Sequence, residues 1–393
     1  MRLNNLLRHA RNLWSRNPIR GAAPSLGFGR PMVLLQSDDW GRVGVRDRDG
    51  FEQLRAAGLS LGEVPYDFYT LETAENVGAL RELLLRHRDS IGRPPCIVMN
   101  FITANLDFQK MAADGFQKIH LLALADGLPG AWRRPGLIEA YRQGIADGVF
   151  YPALHGATHF CAAAVEEQLA IDSERRQLLR ALWQAETPYI HWRMPWVGYE
   201  YWHPERSPRD RFLSAETQDT LIHQAAGNFR ALFGTAPASA CAPGYRANSD
   251  TCRAWMGQGV RVAQNGPGSS AACYMDKNEM LQLFRNLEFE PATTGPAFSV
   301  GECLRVAEAN FSCGKPLIVS LHSINFHSTL KDFCSPTLAA LDRFLEGLEL
   351  RHPELLYVHD VDLHQCVTHG SFEGLRGAVK VTVTQTAAKR GSL

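Results

Sequence analysis

The sequence lacks a net charge, a regular cysteine pattern and any long apolar run. Its 393 residues carry 41 basic and 41 acidic side chains. This balance argues against general nucleic-acid binding, which needs clustered cations to neutralise phosphates. No uninterrupted apolar run approaches the roughly 20 residues that a membrane-spanning helix requires. We therefore expect neither a nucleic-acid partner nor a membrane span.

The nine cysteines form no CxxC pair, and their number is odd. This pattern indicates neither a disulfide framework nor a zinc ribbon, and reduced thiols in the cytoplasm are the simplest interpretation. No apolar segment follows the N-terminal arginines, so no secretory signal is expected. We expect a cytoplasmic protein.

Residues 1–30 form a basic amphipathic segment. Apolar side chains recur in it at helical spacing, and arginines occupy most of the other positions: Leu3, Leu6, Leu7, Leu13 and Trp14, against Arg2, Arg8, Arg11, Arg16 and Arg20. Such a helix can make peripheral contact with the inner membrane surface through residues 1–20. Alternatively, it packs on its own domain with a solvated basic face.

Short apolar runs alternate with helical patterns over residues 31–370. The runs lack polar alternation, as expected for strands buried on both faces. They are Met32–Ser37, Cys96–Phe101, Val149–Leu154, Ser239–Ala242, Val260–Ala263, Leu317–Leu321 and Leu355–Val358. Strands alternating with helices predict parallel βα units, and about seven units favour a barrel over an open sheet. A C-terminal tail follows over residues 371–393.

The stretch at about 160–213 is longer than one crossover needs and predicts an insertion. A helical part runs from Val165 to Glu186. An aromatic run follows it: Tyr189, Trp192, Trp196, Tyr199, Tyr201 and Trp202. These rings can stack on sugars, or they can form a hydrophobic cover over the barrel.

Two carboxylates, Asp38 and Asp39, follow the first predicted strand directly. Adjacent carboxylates at the end of a buried strand are costly unless a cation or hydrogen bonds compensate. Adjacent residues can point in different directions, so one can bind a metal while the other faces a substrate. The alternative is a solvated turn or helix cap.

Two histidines, His155 and His159, follow the third predicted strand. Histidines four residues apart can meet one ion, although most such pairs are structural. Together with one carboxylate they form a sensible catalytic metal site with positions left for water and substrate.

Two further clusters follow later strands. The first is Pro243-Gly244-Tyr245-Arg246. Arg246 can hydrogen-bond Asp38 and hold it ionised, and the backbone N–H near Tyr245 can donate to an oxyanion. The alternative is an ordinary Pro-Gly turn with a surface arginine. His322 can protonate a leaving amine. The following Asn325 and His327 either line the same pocket or lie on the surface. The remaining histidines are interpreted as structural: His191, His203, His352, His359 and His364.

From about Met32 to Asp360 the chain resembles the polysaccharide deacetylase family, also called the NodB-homology or carbohydrate esterase 4 group. Asp38-Asp39 is similar to its Thr-Phe-Asp-Asp-Gly motif, and His155 with His159 to its His-Ser/Thr-x-x-His motif. Leu321-His322 is the nearest match to its Leu-x-His motif.

The resemblance implies a distorted (β/α)7 barrel with an insertion after the third strand. It implies one divalent metal held by Asp39, His155 and His159, with Asp38 as base and His322 as acid. Zinc is the first expectation from two nitrogen ligands and one oxygen ligand, while manganese, cobalt and nickel are compatible.

Several positions depart from the family pattern. Trp40 separates Asp39 from the expected glycine, and Gly156 replaces a serine or threonine. The third motif has alanine where the arginine is expected, and Arg246 stands on the far side of the tyrosine, as in the subgroup that deformylates lipid-linked aminoarabinose. Gln264-Asn265 is the positional candidate for the fourth motif.

These motifs predict a metal-dependent hydrolase that acts on carbon–nitrogen bonds other than peptide bonds. It would remove an acetyl or formyl group from an amino sugar or a lipid-linked glycan precursor. One alternative is a catalytically silent barrel that binds glycan through the aromatic insertion. Another is amide hydrolysis on a substrate that is not a sugar.

Overall fold

The computed structural model describes residues 25–267 and 272–386. The predicted amphipathic helix over residues 1–20 lies outside the described residues. Within the described ranges, helices are too short or too polar to cross a bilayer.

The chain alternates strands and helices, as the sequence predicts. The strands are β1 (Ser25–Phe28), β2 (Met32–Trp40), β3 (Ile97–Phe101), β4 (Ala104–Leu106), β5 (Leu121–Ala123), β6 (Phe150–Leu154), β7 (Ser239–Cys241), β8 (Val262–Asn265), β9 (Cys273–Met275), β10 (Leu281–Phe284), β11 (Leu287–Glu288), β12 (Leu317–His322), β13 (Leu356–Tyr357), β14 (Ser371–Gly374), β15 (Gly377–Lys380) and β16 (Val383–Thr386). Each of the seven predicted strands is present, with shifted ends.

The central sheet has the order β11-β12-β2-β3-β6-β7-β8-β10-β9, and β13 also pairs with β2. Neighbouring strands are parallel, except that β9 and β10 are antiparallel. The predicted α/β class with a parallel central sheet is therefore confirmed. Because parallel strands end at the same edge of a sheet, the polar residues that follow them converge there.

Burial on both faces explains the apolar runs. In β2, Val33 and Leu35 pack into one hydrophobic cluster, and Met32 and Leu34 pack into another on the opposite side. Successive side chains of a strand point to opposite faces, so a strand covered on both sides needs apolar residues at every position.

Helices flank the sheet: α1 (Arg48–Ala56), α2 (Ala74–Leu84), α3 (Phe108–Ala113), α4 (Leu137–Ala146), α5 (Ala162–Leu169), α6 (Glu174–Gln184), α7 (Ala215–Phe233), α8 (Ser249–Gly257), α9 (Pro291–Thr294), α10 (Val300–Phe311), α11 (Cys334–Arg351) and α12 (Asp360–His369). Two of these helices begin at residues whose side chains cap the backbone. Thr73 and Ser214 accept from the backbone amides of Asn76 and Thr217, at 3.2 Å each. Gly234 ends α7 in the left-handed conformation that favours glycine.

The predicted insertion follows β6, and its helical part is two helices, α5 and α6, rather than one. An irregular segment then runs to α7, and residues far apart in the sequence fasten it. Trp192 Nε1 and Arg193 Nε both donate to Asp67 Oδ1, at 3.0 and 3.1 Å. At the chain's other end, the tail contributes β16, which pairs antiparallel with β1.

Candidate active site

The end of β2 separates its two carboxylates. Asp39 has a φ of 75°, and the pairing of β2 with β3 shifts register between Ser37 and Trp40. A left-handed residue is uncommon outside glycine and marks a functional constraint when its surroundings hold it in place. Here the Tyr69 hydroxyl donates to the Asp39 carbonyl at 2.9 Å. The turn lets both Asp38 and Asp39 face the same cavity.

The three predicted metal ligands lie together. Asp39 Oδ1 is 3.7 Å from His155 Nε2 and 3.3 Å from His159 Nε2, and one donor atom from each residue lies within 4.8 Å of the others. Asp39 Oδ1 and His155 Nε2 are buried and have no hydrogen-bond partner among the described residues. Buried polar atoms without partners are rare, so a divalent cation fits this donor set.

The protonation of the histidines suits metal binding. His155 Nδ1 lies 2.8 Å from the Cys241 carbonyl, which can only accept, so Nδ1 carries the proton and Nε2 offers a lone pair. Burial lowers the pKa of both His155 and His159. Neutral imidazoles are the form that coordinates metals.

Asp38 is held by an arginine that the sequence analysis did not single out. Arg285 Nη2 and Nη1 donate to Asp38 Oδ1 and Oδ2 at 2.5 and 2.8 Å, and Asn100 Nδ2 donates to Oδ1 at 2.7 Å. Burial alone would raise the pKa of Asp38, but the charges of Arg285 and nearby histidines outweigh it and leave the pKa below its usual value. Asp38 is therefore ionised and fixed in orientation.

The place predicted for Arg246 is thus taken by Arg285. Arg246 instead lies over the Trp202 ring, 4.7 Å from its centroid. The reason is topological, because Arg285 directly follows β10 in the sheet and its side chain is fully buried. A charged residue immediately after the short, mostly apolar segment Leu281–Phe284 was the available signal.

The oxyanion role predicted near Tyr245 is also corrected. The Tyr245 N–H donates to the Ala242 carbonyl at 2.8 Å, and the Arg246 N–H donates to that of Pro243 at 3.2 Å. Both amides are therefore used within a 3₁₀ turn. The Tyr245 hydroxyl instead accepts from Arg285 Nη1 at 2.7 Å, so Tyr245 supports the partner of Asp38.

His322 lies across from Asp38, with its Nε2 3.8 Å from Asp38 Oδ2. Its Nδ1 is 2.6 Å from Glu290 Oε1, and Asn325 Nδ2 donates to the other oxygen of Glu290 at 2.6 Å. Burial would lower the pKa of His322, but Glu290 and the two aspartates raise it to about 9. His322 is thus a cation near neutral pH. Asn325 is buried, not a surface residue, and it supports Glu290.

These groups open into a cavity of about 1130 Å³. Its floor consists of Asp38 and Asp39 near the end of β2, His155 and His159 in the loop after β6, and His322 at the end of β12. Arg285 binds Asp38 from the residue after β10. Its roof comes from the insertion and is formed by Tyr189, His191, Trp192, Tyr199 and Trp202.

The rings of the aromatic run differ in where they lie. Four of its rings line the cavity, whereas Trp196 and Tyr201 are buried in hydrophobic clusters. His191 was interpreted as structural, yet it lines the cavity and stacks on Tyr199 with ring centroids 4.7 Å apart. His327 does not line the cavity and is fully buried beside Glu72.

No protein-family model and no curated protein matches the chain. Among solved structures, one similar chain is described as a polysaccharide deacetylase from Mycobacterium smegmatis. It has 11% sequence identity and a TM-score of 0.44, and the match covers 90% of this chain and 94% of that one. Another such protein from Pseudomonas aeruginosa has 13% identity and a TM-score of 0.45 over 86% and 92%. A family 4 carbohydrate esterase from Streptomyces lividans has 12% identity and a TM-score of 0.34 over 83% and 90%. With identities of 11–13% and TM-scores below 0.5, these similarities do not extend to activity or substrate.

Proposed function

We propose that the protein is a metal-dependent hydrolase that removes an acetyl or formyl group from the nitrogen of an amino sugar or a lipid-linked glycan precursor. One observation carries this proposal: the Asp39, His155 and His159 donor set lies beside a second carboxylate and a histidine cation. A cation bound by these three residues would supply a Lewis acid that polarises the acyl carbonyl and acidifies water. Two nitrogens and one oxygen favour zinc.

The acid and base roles follow from opposite pKa shifts. The lowered pKa of Asp38 keeps its carboxylate ionised, and the raised pKa of His322 keeps its imidazole protonated near neutral pH, so each is in the protonation state that its role requires. Asp38 takes a proton from the attacking water, whose oxygen bonds to the acyl carbon. As the carbon–nitrogen bond breaks, His322 gives its proton to the departing nitrogen. The products are a carboxylic acid and a free amine.

The size and lining of the cavity support a glycan substrate. Its volume of about 1130 Å³ exceeds the need of a single acyl group. Aromatic rings such as Tyr199 and Trp202 offer flat apolar faces for sugar rings, and they belong to the roof rather than to the reacting floor. In this proposal the floor residues hydrolyse the acyl group, and the aromatic residues of the insertion bind the sugar that carries it.

The test is to remove bound metal, reload the protein with zinc, manganese, cobalt or nickel, and screen N-acetyl and N-formyl amino sugars, free and lipid-linked, for release of acetate or formate. The loaded protein should hydrolyse at least one class, and Asp38→Asn should lose most of this activity. An Asp38→Asn variant as fast as wild type would contradict the base assignment. Glycan binding without hydrolysis by any metal-loaded form would favour the catalytically silent barrel instead. Release of acetate or formate from non-sugar amides alone would show that the substrate is not a sugar.

We also propose a cytoplasmic location with peripheral membrane contact through residues 1–20. The support is the sequence pattern of leucines and arginines described above. Sedimentation with anionic vesicles tests it. The full chain should bind and a chain lacking residues 1–20 should not, whereas equal binding would contradict the proposal.

A further inference from the structure

The loop that carries the two metal-binding histidines is held on one side by the backbone of a neighbouring connection. The Gly156 carbonyl accepts from the Thr103 N–H at 3.0 Å and from the Thr103 hydroxyl at 3.1 Å. The Ala157 carbonyl accepts from the Ala104 N–H at 2.9 Å. The carbonyl groups of the loop are therefore fixed by the residues that follow β3.

On its other side the loop is held by one side chain. The amides of Ala157 and Thr158 both donate to Glu200 Oε1, at 2.8 and 3.0 Å. Glu200 belongs to the insertion and is only 2% exposed. Buried backbone amides need an acceptor, and for these two the described residues provide Glu200.

The glycine at position 156 fits this arrangement for two reasons. Its φ of +94° is a conformation that residues with a side chain rarely adopt. A Cβ atom at this position would also overlap Glu200 Oε2. The absence of a side chain at Gly156 therefore makes the space that the carboxyl group of Glu200 occupies.

We propose that Glu200 is a positioning residue of the metal site, because it fixes the backbone between His155 and His159 and so sets the separation of their ring nitrogens. This inference rests on the metal site of the proposed function. Glu200 acts through the loop, and its carboxyl oxygen bonds to backbone amides rather than to the ligands. Outer partners of this kind orient ligands and tune metal affinity.

The role requires an acceptor but no charge. Burial raises the pKa of Glu200 to about 8, so the carboxyl group is largely neutral at pH 7. The amide oxygen of glutamine can accept the same two bonds, whereas alanine leaves both amides without an acceptor. Aspartate is one methylene shorter and withdraws its oxygen from the loop.

The experiment is to measure zinc dissociation constants by competition with a chromogenic chelator for the wild type and for Glu200→Ala, Glu200→Asp and Glu200→Gln. A matched control is Glu186→Ala, since Glu186 lies on the same insertion and accepts from the Ala131 N–H at 2.8 Å, away from the loop. Glu200→Ala and Glu200→Asp should weaken zinc binding by roughly 10-fold to 100-fold, while Glu200→Gln and the control stay within about 3-fold of wild type.

The outcomes separate this inference from the proposed function. If neither the wild type nor Asp39→Ala binds zinc measurably, the metal site itself is wrong. If the wild type binds, Asp39→Ala does not, and Glu200→Ala equals wild type, the site stands and the role of Glu200 is overturned. If Glu200→Ala does not fold, the zinc dissociation constants of Glu200→Asp and Glu200→Gln are compared instead. Equal zinc affinities for these two variants would overturn the role of Glu200.

Discussion

The floor and the roof of the cavity differ in how the chain builds them. The floor residues lie at or just after the ends of strands of one parallel sheet, whose hydrogen-bond ladder and two-sided core fix where each strand ends. The roof is an irregular segment fastened by side chains from distant residues, such as Asp67. The sheet therefore positions the candidate metal ligands and the acid and base groups. The insertion lines the rest of the cavity and, through Glu200, also binds the loop between His155 and His159.

The largest effect is expected beneath the floor, at the buried pair of Arg285 and Asp38. Arg285→Met leaves a buried carboxylate without its cation, which should lower the free energy of unfolding by about 3–5 kcal/mol. Arg246→Met is the matched control, since Arg246 is only partly buried over Trp202 and its loss should cost at most about 1 kcal/mol. Urea unfolding of both variants measures the difference. Equal losses would show that the buried pair of Arg285 and Asp38 is no more important for stability than the partly buried Arg246.

Substitution of one histidine in the floor and one in the roof should have different effects on the kinetic constants. His322→Gln removes the proton donor and should lower kcat by roughly 10²-fold to 10⁴-fold. His191→Gln changes the roof and should act mainly on KM. Steady-state kinetics on the hydrolysed substrate measures both. A larger loss of kcat in His191→Gln than in His322→Gln would reverse the assignment.

The pH profile tests whether Glu290 keeps His322 protonated. Burial favours the neutral imidazole, and Glu290 is the largest opposing influence in raising the pKa of His322 to about 9. Glu290→Gln should therefore let the pKa fall towards about 6.5, its ordinary value. Because the acid form is lost when pH exceeds this pKa, the alkaline limb of kcat/KM should move to lower pH. An unmoved limb would assign that limb to another group.

The smallest effect is expected for a single ring of the roof. Trp202→Leu removes one flat face and should raise KM by roughly 3-fold to 10-fold, since an aromatic contact contributes about 0.5–1.5 kcal/mol. The value of kcat should change little because Trp202 does not belong to the reacting floor. A fall in kcat with constant KM would show that the roof takes part in the chemistry.

Most of the sheet and the floor follow from local sequence, because an apolar run that ends in a polar cluster needs no long-range information to be recognised. Asp38, Asp39, His155 and His322 all have this setting. Arg285 has it too, but Leu281–Phe284 is short and contains Gln282, so β10 was missed together with the arginine that follows it.

The roof could not be predicted in the same way. The segment that holds Tyr199 and Glu200 has no periodic pattern, and its position depends on contacts with residues far away in the sequence. The bond from Glu200 to the amides of Ala157 and Thr158 is one such contact. Gly156 was recorded as a departure from the family motif, yet its reason emerges only when the carboxyl group of Glu200 is placed beside it.

The most direct test of the account is the zinc stoichiometry of the wild type and of Asp39→Ala, measured by equilibrium dialysis followed by elemental analysis. The wild type should retain about one zinc ion per chain, as expected for one catalytic site, and Asp39→Ala should retain almost none. Equal zinc content in the two proteins would contradict the account, since Asp39, His155 and His159 would then not form the metal site.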